Sequence, residues 1–316
     1  MKLGRIFEPG GEREWMKTHA ALPATLPLRS GQLRVYFATR DEQSRARIGW
    51  LDLNLGSARE IGGMLSSPDR FHPAAIASVS KAPVVDLGPL GAFDDSGVTT
   101  GCVVKLAGAA YLYYTGWSLG RTVPFYYAVG LAVGDDDGAT FQKVSSAPIL
   151  DRSDVDPYLV ASPCVLIEGG VWRMWYVSGV RWEMHNNVPR HYYHIRYAES
   201  RDGLHWTRTG RVCVDFASPN EYAIARPTVV RDGRLYRMWF SCRGQAYRLG
   251  YAESVDGVSW TRRDDLAGLD ATADGWDSEM ICYPHVFDHA GRRFMLYNGN
   301  GYGRTGLGLA VHATST

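Results

Sequence analysis

The acids of this chain gather in a few polar loops. Asp41 and Glu42 lie in RDEQSR, Asp94 and Asp95 in FDDSG, Glu221 in EYAIAR and Glu279 in WDSEMICYP. Carboxylates converging on one substrate are what cleavage of a glycosidic bond requires. One protonates the leaving oxygen, a second attacks or activates water, and the distance between them decides retention or inversion. Burial and like-charge crowding raise the pKa of one and leave the other ionised. Glu279 enters an otherwise apolar stretch, where a charge is costly unless paired or used. It is the leading candidate for acid-base work, with Asp95 and Asp41 as further catalytic candidates. Glu42, Asp94 and Glu221 are candidates for substrate binding. Asp94 and Asp95 also stand where an Asx turn would use them.

Arginines accompany these acids: Arg40, Arg121, Arg152, Arg181, Arg226, Arg243 and Arg304. A guanidinium reads a carboxylate or phosphate in plane through two parallel N–H bonds. Arg40, Arg121, Arg152, Arg181, Arg226 and Arg243 are therefore candidate substrate-binding residues, and the expected substrate is a small molecule or glycan with an anionic group, such as a uronate or phosphosugar. Trp117 offers an apolar platform for a sugar face, Asn298 and Asn300 read hydroxyls, and His19 titrates in the range useful for proton transfer. His185, His191 and His194 share one loop, but no metal-ligand spacing accompanies them, so neither metal nor cofactor is expected. No nucleophile elbow is present.

Repetition organises the loops that carry these residues. IRYAESRDGLHWTRTGRV (Ile195–Val212) and LGYAESVDGVSWTRRDDL (Leu249–Leu266) are near copies, and VGLAVGDDDGATFQKVSSAPIL (Val129–Leu150) is a weaker one. Asp-Gly between alternating apolar runs marks a hairpin. Before each comes an aromatic-rich strand, such as YRMWFSC, WRMWYVSG or AYLYYTGW. Before that comes an apolar strand whose start is marked by Pro23, Gly101, Pro163, Pro227 or Pro284. Five copies of a four-strand unit predict an all-β, five-bladed β-propeller with four antiparallel strands per blade. SKAPVVDLG, SSAPILDRS, TGRVCVDFA and RRDDLAGLD are the expected fourth strands. KLGRIFEPG (about residues 1–10) is expected to complete the last blade after LGLAVHATST and close the ring, making residues 1–316 a single domain. Alternating strand direction places the starts of the first strands and the loops after the second strands on one rim. That rim holds all the candidates above.

Composition excludes several classes. Lys+Arg number 34 against 33 Asp+Glu, a net charge of +1, so the basic footprint of a nucleic-acid binder is missing. No apolar run approaches the ~18 residues of a membrane span, and MKLGRIFEPGGEREW lacks the apolar core of a signal peptide. The five cysteines are far apart and form no CxxC pair, the pattern of reduced thiols in a cytoplasmic protein.

RVYFATRDEQSRARIG, VVDLGPLGAFDDSGV, PILDRSD, IRYAESRDG, YRLGYAESVDG, GWDSEMICYP and YNGNGYGR resemble an uncharacterised glycosidase-like group of propeller proteins. More distantly the sequence is similar to glycoside hydrolase families 32, 43, 68 and 130. The resemblance implies a five-bladed propeller with a carbohydrate-directed, glycosidase-like activity. Families 32 and 43 place an acid at or just before the opening proline of certain inner strands. Here those positions read Leu22-Pro23, Ser162-Pro163, Arg226-Pro227 and Tyr283-Pro284, so no catalytic set carries over by position. Two further readings stay open: a non-hydrolytic enzyme (phosphorolysis, glycosyl transfer, or cyclisation or elimination) and a sugar-binding propeller without catalysis.

Overall fold

A computed structural model describes residues 1–56 and 75–312, so the last four residues of LGLAVHATST lie outside it. The described chain is nearly all β, with helical turns only at Asp264–Leu266 and Asn300–Gly303. Strand β1 (Lys2–Phe7) precedes a first set of β2 (Thr18–Pro27), β3 (Leu33–Arg40), β4 (Ala46–Leu53) and β5 (Ile76–Val79). The second set is β6 (Gly97–Leu106), β7 (Ala109–Leu119), β8 (Phe125–Gly134) and β9 (Phe141–Lys143). The third is β10 (Val160–Glu168), β11 (Val171–His185), β12 (Val188–Ser200) and β13 (Trp206–Val214). The fourth is β14 (Ala223–Asp232), β15 (Leu235–Arg243), β16 (Tyr247–Ser254) and β17 (Thr261–Arg262). The last is β18 (Cys282–His289), β19 (Arg292–Asn298) and β20 (Leu307–Val311), with β1 pairing antiparallel on the outer side of β20. Within each set, successive strands pair antiparallel. The first strands touch in sequence, and β18 touches β2.

Two expected fourth strands are displaced. SKAPVVDLG and SSAPILDRS each contribute a single bridge, Val85 to Ile48 and Leu150 to Val129. Pro83 and Pro148 have no amide to donate to a ladder, so the fourth strands form earlier, at β5 and β9. RRDDLAGLD gives only Arg262 to β17 before the chain enters the turn at Asp264–Leu266. The Asp-Gly hairpins form as the sequence requires. Gly203 and Gly257 take φ of 75° and 76°, the left-handed conformation that glycine adopts without steric penalty. Asp202 and Asp256 accept the next backbone amides at 2.7–2.8 Å. The carbonyls of these glycines then accept Tyr113 and Trp175 from the preceding sets, at 2.8 and 2.7 Å. Each hairpin therefore fastens its set to its neighbour.

The innermost strands share one irregularity. Each breaks register at its Pro or at Gly101, and Leu22, Ser162, Arg226 and Tyr283 there have φ of 54°, 47°, 55° and 56°. A bulge redirects the side chain and leaves an amide outside the ladder. Neighbouring second strands recover three of those amides: Asn298, Thr115 and Ser241 accept from Leu22, Ser162 and Tyr283 at 3.0, 2.8 and 2.7 Å. The residue after the bulge reaches the next set. Cys102 and Cys164 accept the amides of Val165 and Val229 at 3.2 and 3.3 Å, and His285 Nε2 accepts that of Thr25 at 3.0 Å.

Candidate functional site

Acids in the loops leading into the first strands are held by the fold. Tyr114, Tyr176 and Tyr297 occupy equivalent places on β7, β11 and β19. They donate to buried Asp94, Asp156 and Asp277 at 3.1, 2.9 and 3.3 Å. The fourth strand of each set supplies a cation to the same acid: Lys143, Arg208 and Lys2, at 2.6, 3.0 and 2.6 Å. The fourth set has Phe240 at the tyrosine position. There Glu221 takes both arms of Arg262 at 2.8 and 2.7 Å, and that guanidinium lies 5.2 Å from the Phe240 ring centroid. Asp94 and Glu221 are thus latches between a loop and an outer strand. A buried acid bonded on both sides fixes the loop and satisfies its own charge. Glu221, Cys242 and Asp264 bring ligand atoms within 4.8 Å of one another, but Arg262 bonds both carboxylates and supplies the positive charge a metal would bring.

The other acids divide. Asp41 is buried and accepts Arg47 Nη1 at 2.8 Å and Arg45 Nε and backbone N at 2.9 Å. Burial pushes its carboxyl up, but the bonds from Arg47 and Arg45 outweigh it and hold the group below the usual range. Glu42 is exposed, 3.7 Å from Lys17. Asp95 accepts the amide of Gly91 and the hydroxyl of Ser96 at 2.9 and 2.8 Å, closing its own turn. Glu279 is exposed, and its carboxylate has no hydrogen-bond or ion-pair partner among the described residues. Its backbone is fixed instead: the amide donates to Asn300 at 2.8 Å and the carbonyl accepts Arg248 at 3.0 Å.

The polar amides serve the backbone. Asn298 is fully buried and donates to the carbonyls of Ala20 and Gly306 at 2.6 and 2.8 Å. Asn300 holds Glu279 and Met280. Trp117 lies against Gly97, where any Cβ would meet the indole nitrogen. Arg121 and Arg152 are exposed, Arg152 at 5.1 Å from the Tyr126 ring centroid. Arg181 lies over Tyr192 at 3.9 Å and pairs with Glu183 at 2.5 Å.

Arg226 has a different place from the one its residue type suggests. It is 1% exposed, and its guanidinium reaches the carbonyls of Gly101, Leu22 and Pro23. Burial lowers its pKa to about 10. It joins the fourth set to the first and second.

Arg40, Arg190, Arg243 and Arg304 have no carboxylate within ion-pair distance among the described residues. Arg40 and Arg304 flank His19, a left-handed residue (φ 63°) whose Nδ1 is 2.9 Å from Thr18 Oγ1. Burial, then these two charges, lower its pKa to about 4. Arg243, at the end of β15, lies 5.2, 5.4 and 5.4 Å from the ring centroids of Tyr222, Tyr247 and Tyr302. His191 stacks on Tyr193 at 4.6 Å, 1° from parallel. Burial, then Arg243 and Arg190, lower its pKa to about 4. Phe125, Tyr127 and Trp182 extend this aromatic wall. The tyrosines at 222, 247 and 302 carried no signal in the sequence that marked them as partners of Arg243.

A separate cavity of about 860 Å³ opens at the opposite rim, between the fourth and last sets, lined by Trp239, Tyr251, Arg237 and Arg293. Arg237 and Arg293 there pair with Asp232 and Asp288. Among the described residues no helix is long and apolar enough to cross a membrane.

No protein-family model matches the sequence. Among solved structures, a glycoside hydrolase matches with a TM-score of 0.70 at 15% identity, over 99% of this protein and 92% of that one. A thermostable family-43 glycoside hydrolase matches at 0.64 and 15% identity over 95% and 91%. The Bombyx mori GH32 β-fructofuranosidase BmSUC1 matches at 0.64 and 14% over 98% of this protein and 61% of its own length. The fold is therefore that of the glycosidase-like β-propellers, as the sequence motifs imply. Two Mycobacterium tuberculosis sequences, the uncharacterized proteins MT1551 and Rv1502, are each 43% identical over 311 residues, covering 98% of both partners. At that identity and coverage the chain belongs to the same family as MT1551 and Rv1502.

Proposed function

We propose that this protein is a carbohydrate-active enzyme of the glycoside-hydrolase type, taking a sugar on the rim where the first strands begin. The observation that carries the reading is the composition of that rim. Aromatic rings at Phe125, Tyr127, Trp182, Tyr222 and Tyr302 offer faces to a sugar, and Arg40, Arg190, Arg243 and Arg304 lack acidic partners among the described residues. The five antiparallel sets are read as the blades of one domain spanning residues 1–316, closed by β1. The circle of first-strand contacts and the pairing of β1 with β20 support this. Free thiols at all five cysteines suit a reducing, cytoplasmic setting.

Glu279 is assigned proton transfer to the leaving oxygen, because its carboxylate alone among the proposed acids is without a partner in the described residues. Asp41, kept ionised by Arg45 and Arg47, supplies the fixed negative charge opposite a developing oxocarbenium ion. Asp95 is occupied by its turn. Glu279→Gln is expected to lower kcat/KM by at least about 100-fold on whichever 4-nitrophenyl glycoside or glucuronide the protein turns over. The thermal midpoint should stay unchanged. Wild-type rates in Glu279→Gln overturn the assignment.

The same observation favours phosphorolysis as a second reading. Among the described residues, one unpartnered acid of those proposed and arginines without carboxylates suit a reaction in which phosphate, held by guanidinium groups, replaces water as the attacking group. Turnover that depends on inorganic phosphate and yields a sugar phosphate separates this reading from hydrolysis.

A further inference from the structure

Among the described residues, Arg47, Arg262 and Arg293 each bond two carboxylates. Arg243 meets three tyrosine rings instead, and its Nε is buried with no acceptor. Arg190 approaches one of the same rings, Tyr222, at 4.8 Å. Beside them the Nε2 of His191 is buried without a partner, on a ring already pinned against Tyr193. Rings against a guanidinium remove water from its faces and leave the in-plane N–H groups as its remaining contacts. A buried donor without an acceptor carries a desolvation penalty. Here one such donor, Arg243 Nε, and the unpartnered ring nitrogen of His191 belong to one cluster of half-buried residues. An anion satisfies both the charge and the donors, and a planar or tetrahedral oxyanion matches the fork of the guanidinium.

We propose that Arg243, with His191 and Arg190, forms the subsite for a single anionic group, a carboxylate or a phosphate, carried on the sugar that this rim accepts. The proposal rests on the carbohydrate reading above and adds the chemical class of the substrate. Arg243 is a binding residue here, its tyrosines hold it in place, and His191 supplies one further polar contact from a neutral ring.

Calorimetric titration of the full chain with D-glucuronate, glucose 6-phosphate, D-glucose and inorganic phosphate tests it. One or both charged sugars should bind at least about tenfold more tightly than glucose, and the arm that does so identifies the group. Arg243→Gln should abolish that preference, so that the charged sugars bind no more tightly than glucose, and keep the thermal midpoint within about 2 °C of wild type. Arg243→Lys keeps the charge without the fork and should retain only part of the preference. Should Arg243→Gln fail to fold, Arg190→Gln and Arg243→Lys carry the test. Equal binding of glucose and both charged sugars overturns the subsite while the carbohydrate reading stands. A preference that survives Arg243→Gln overturns the assignment to Arg243. Phosphate binding as tightly as glucose 6-phosphate overturns the sugar-borne source. Absence of any binding overturns subsite and carbohydrate reading together.

Discussion

Arg226 and Arg243 are both largely enclosed arginines without a carboxylate, and they differ in what encloses them. Arg226 lies among the innermost strands, where its Nη1 and Nη2 donate to the carbonyls of Gly101, Leu22 and Pro23, although its Nε, like that of Arg243, meets no acceptor. Arg243 sits at the rim among tyrosine faces, which stabilise its charge but accept few of its hydrogens. The first is a tie between strand sets, while the second keeps bonding capacity for something outside the protein. Residue type and burial alone do not separate scaffold from site in this molecule. What the terminal guanidinium nitrogens meet does.

Substitution at the two positions should therefore give opposite phenotypes. The largest effect is expected from Arg226→Met, which leaves three inner-strand carbonyls without their donor. Hydrogen bonds to a charged group contribute about 1.5–3 kcal/mol each, so urea denaturation should show a loss of about 3 kcal/mol or more. Unchanged stability would mean that water replaces the guanidinium and that the tie is dispensable.

Acid should weaken the interior next. His285 is half-buried near Arg226, and desolvation, then that charge, lower its pKa from 6.5 to about 3. The unfolded chain therefore binds more protons than the folded one between those values. The associated stability is fully present above pH 6.5 and is lost as pH falls from 6.5 toward 3. His19 and His191, lowered to about 4, act with the same sign over the upper part of that window. The urea midpoint should thus fall between pH 6.5 and 4.5, with a shallower fall in His285→Gln. An equal slope in that variant would assign the acid sensitivity to other groups.

The smallest effect on stability belongs to Arg243→Gln, about 0.5 kcal/mol, the size of a cation–π contact at a partly exposed site. A loss as large as that of Arg226→Met would make the tyrosine cage a structural element and erase the contrast.

Local features of the fold were legible in the sequence. Asp-Gly turns and aromatic second strands depend on contacts within a few residues, and they repeat. The places of the fourth strands were less legible, because Pro83 and Pro148 interrupt segments whose apolar pattern alone reads as strand. Within the site, residue types were readable but partners were not. Asp94 and Asp95 are adjacent and look interchangeable, yet Asp94 joins Tyr114 and Lys143 while Asp95 closes a turn. Those partners lie 20 and 49 residues away along the chain, beyond any local pattern. The rim arginines likewise form one class by sequence, and only the distribution of distant acids and rings divides them.

The pairing of β1 with β20 also sets an order of events during synthesis. The amino group of Met1 reaches the carbonyl of Val311, 310 residues along the chain. At about 5–20 residues per second, β1 waits roughly 15–60 s for its partner to be made, and until then its edge amides have no ladder to join. The earlier sets can form from neighbouring segments as they emerge, whereas the last sheet assembles only when both ends of this long loop are present. Completion of that sheet is thus the late step, and a ribosome that stalls before β20 leaves a chain with an unpaired first strand.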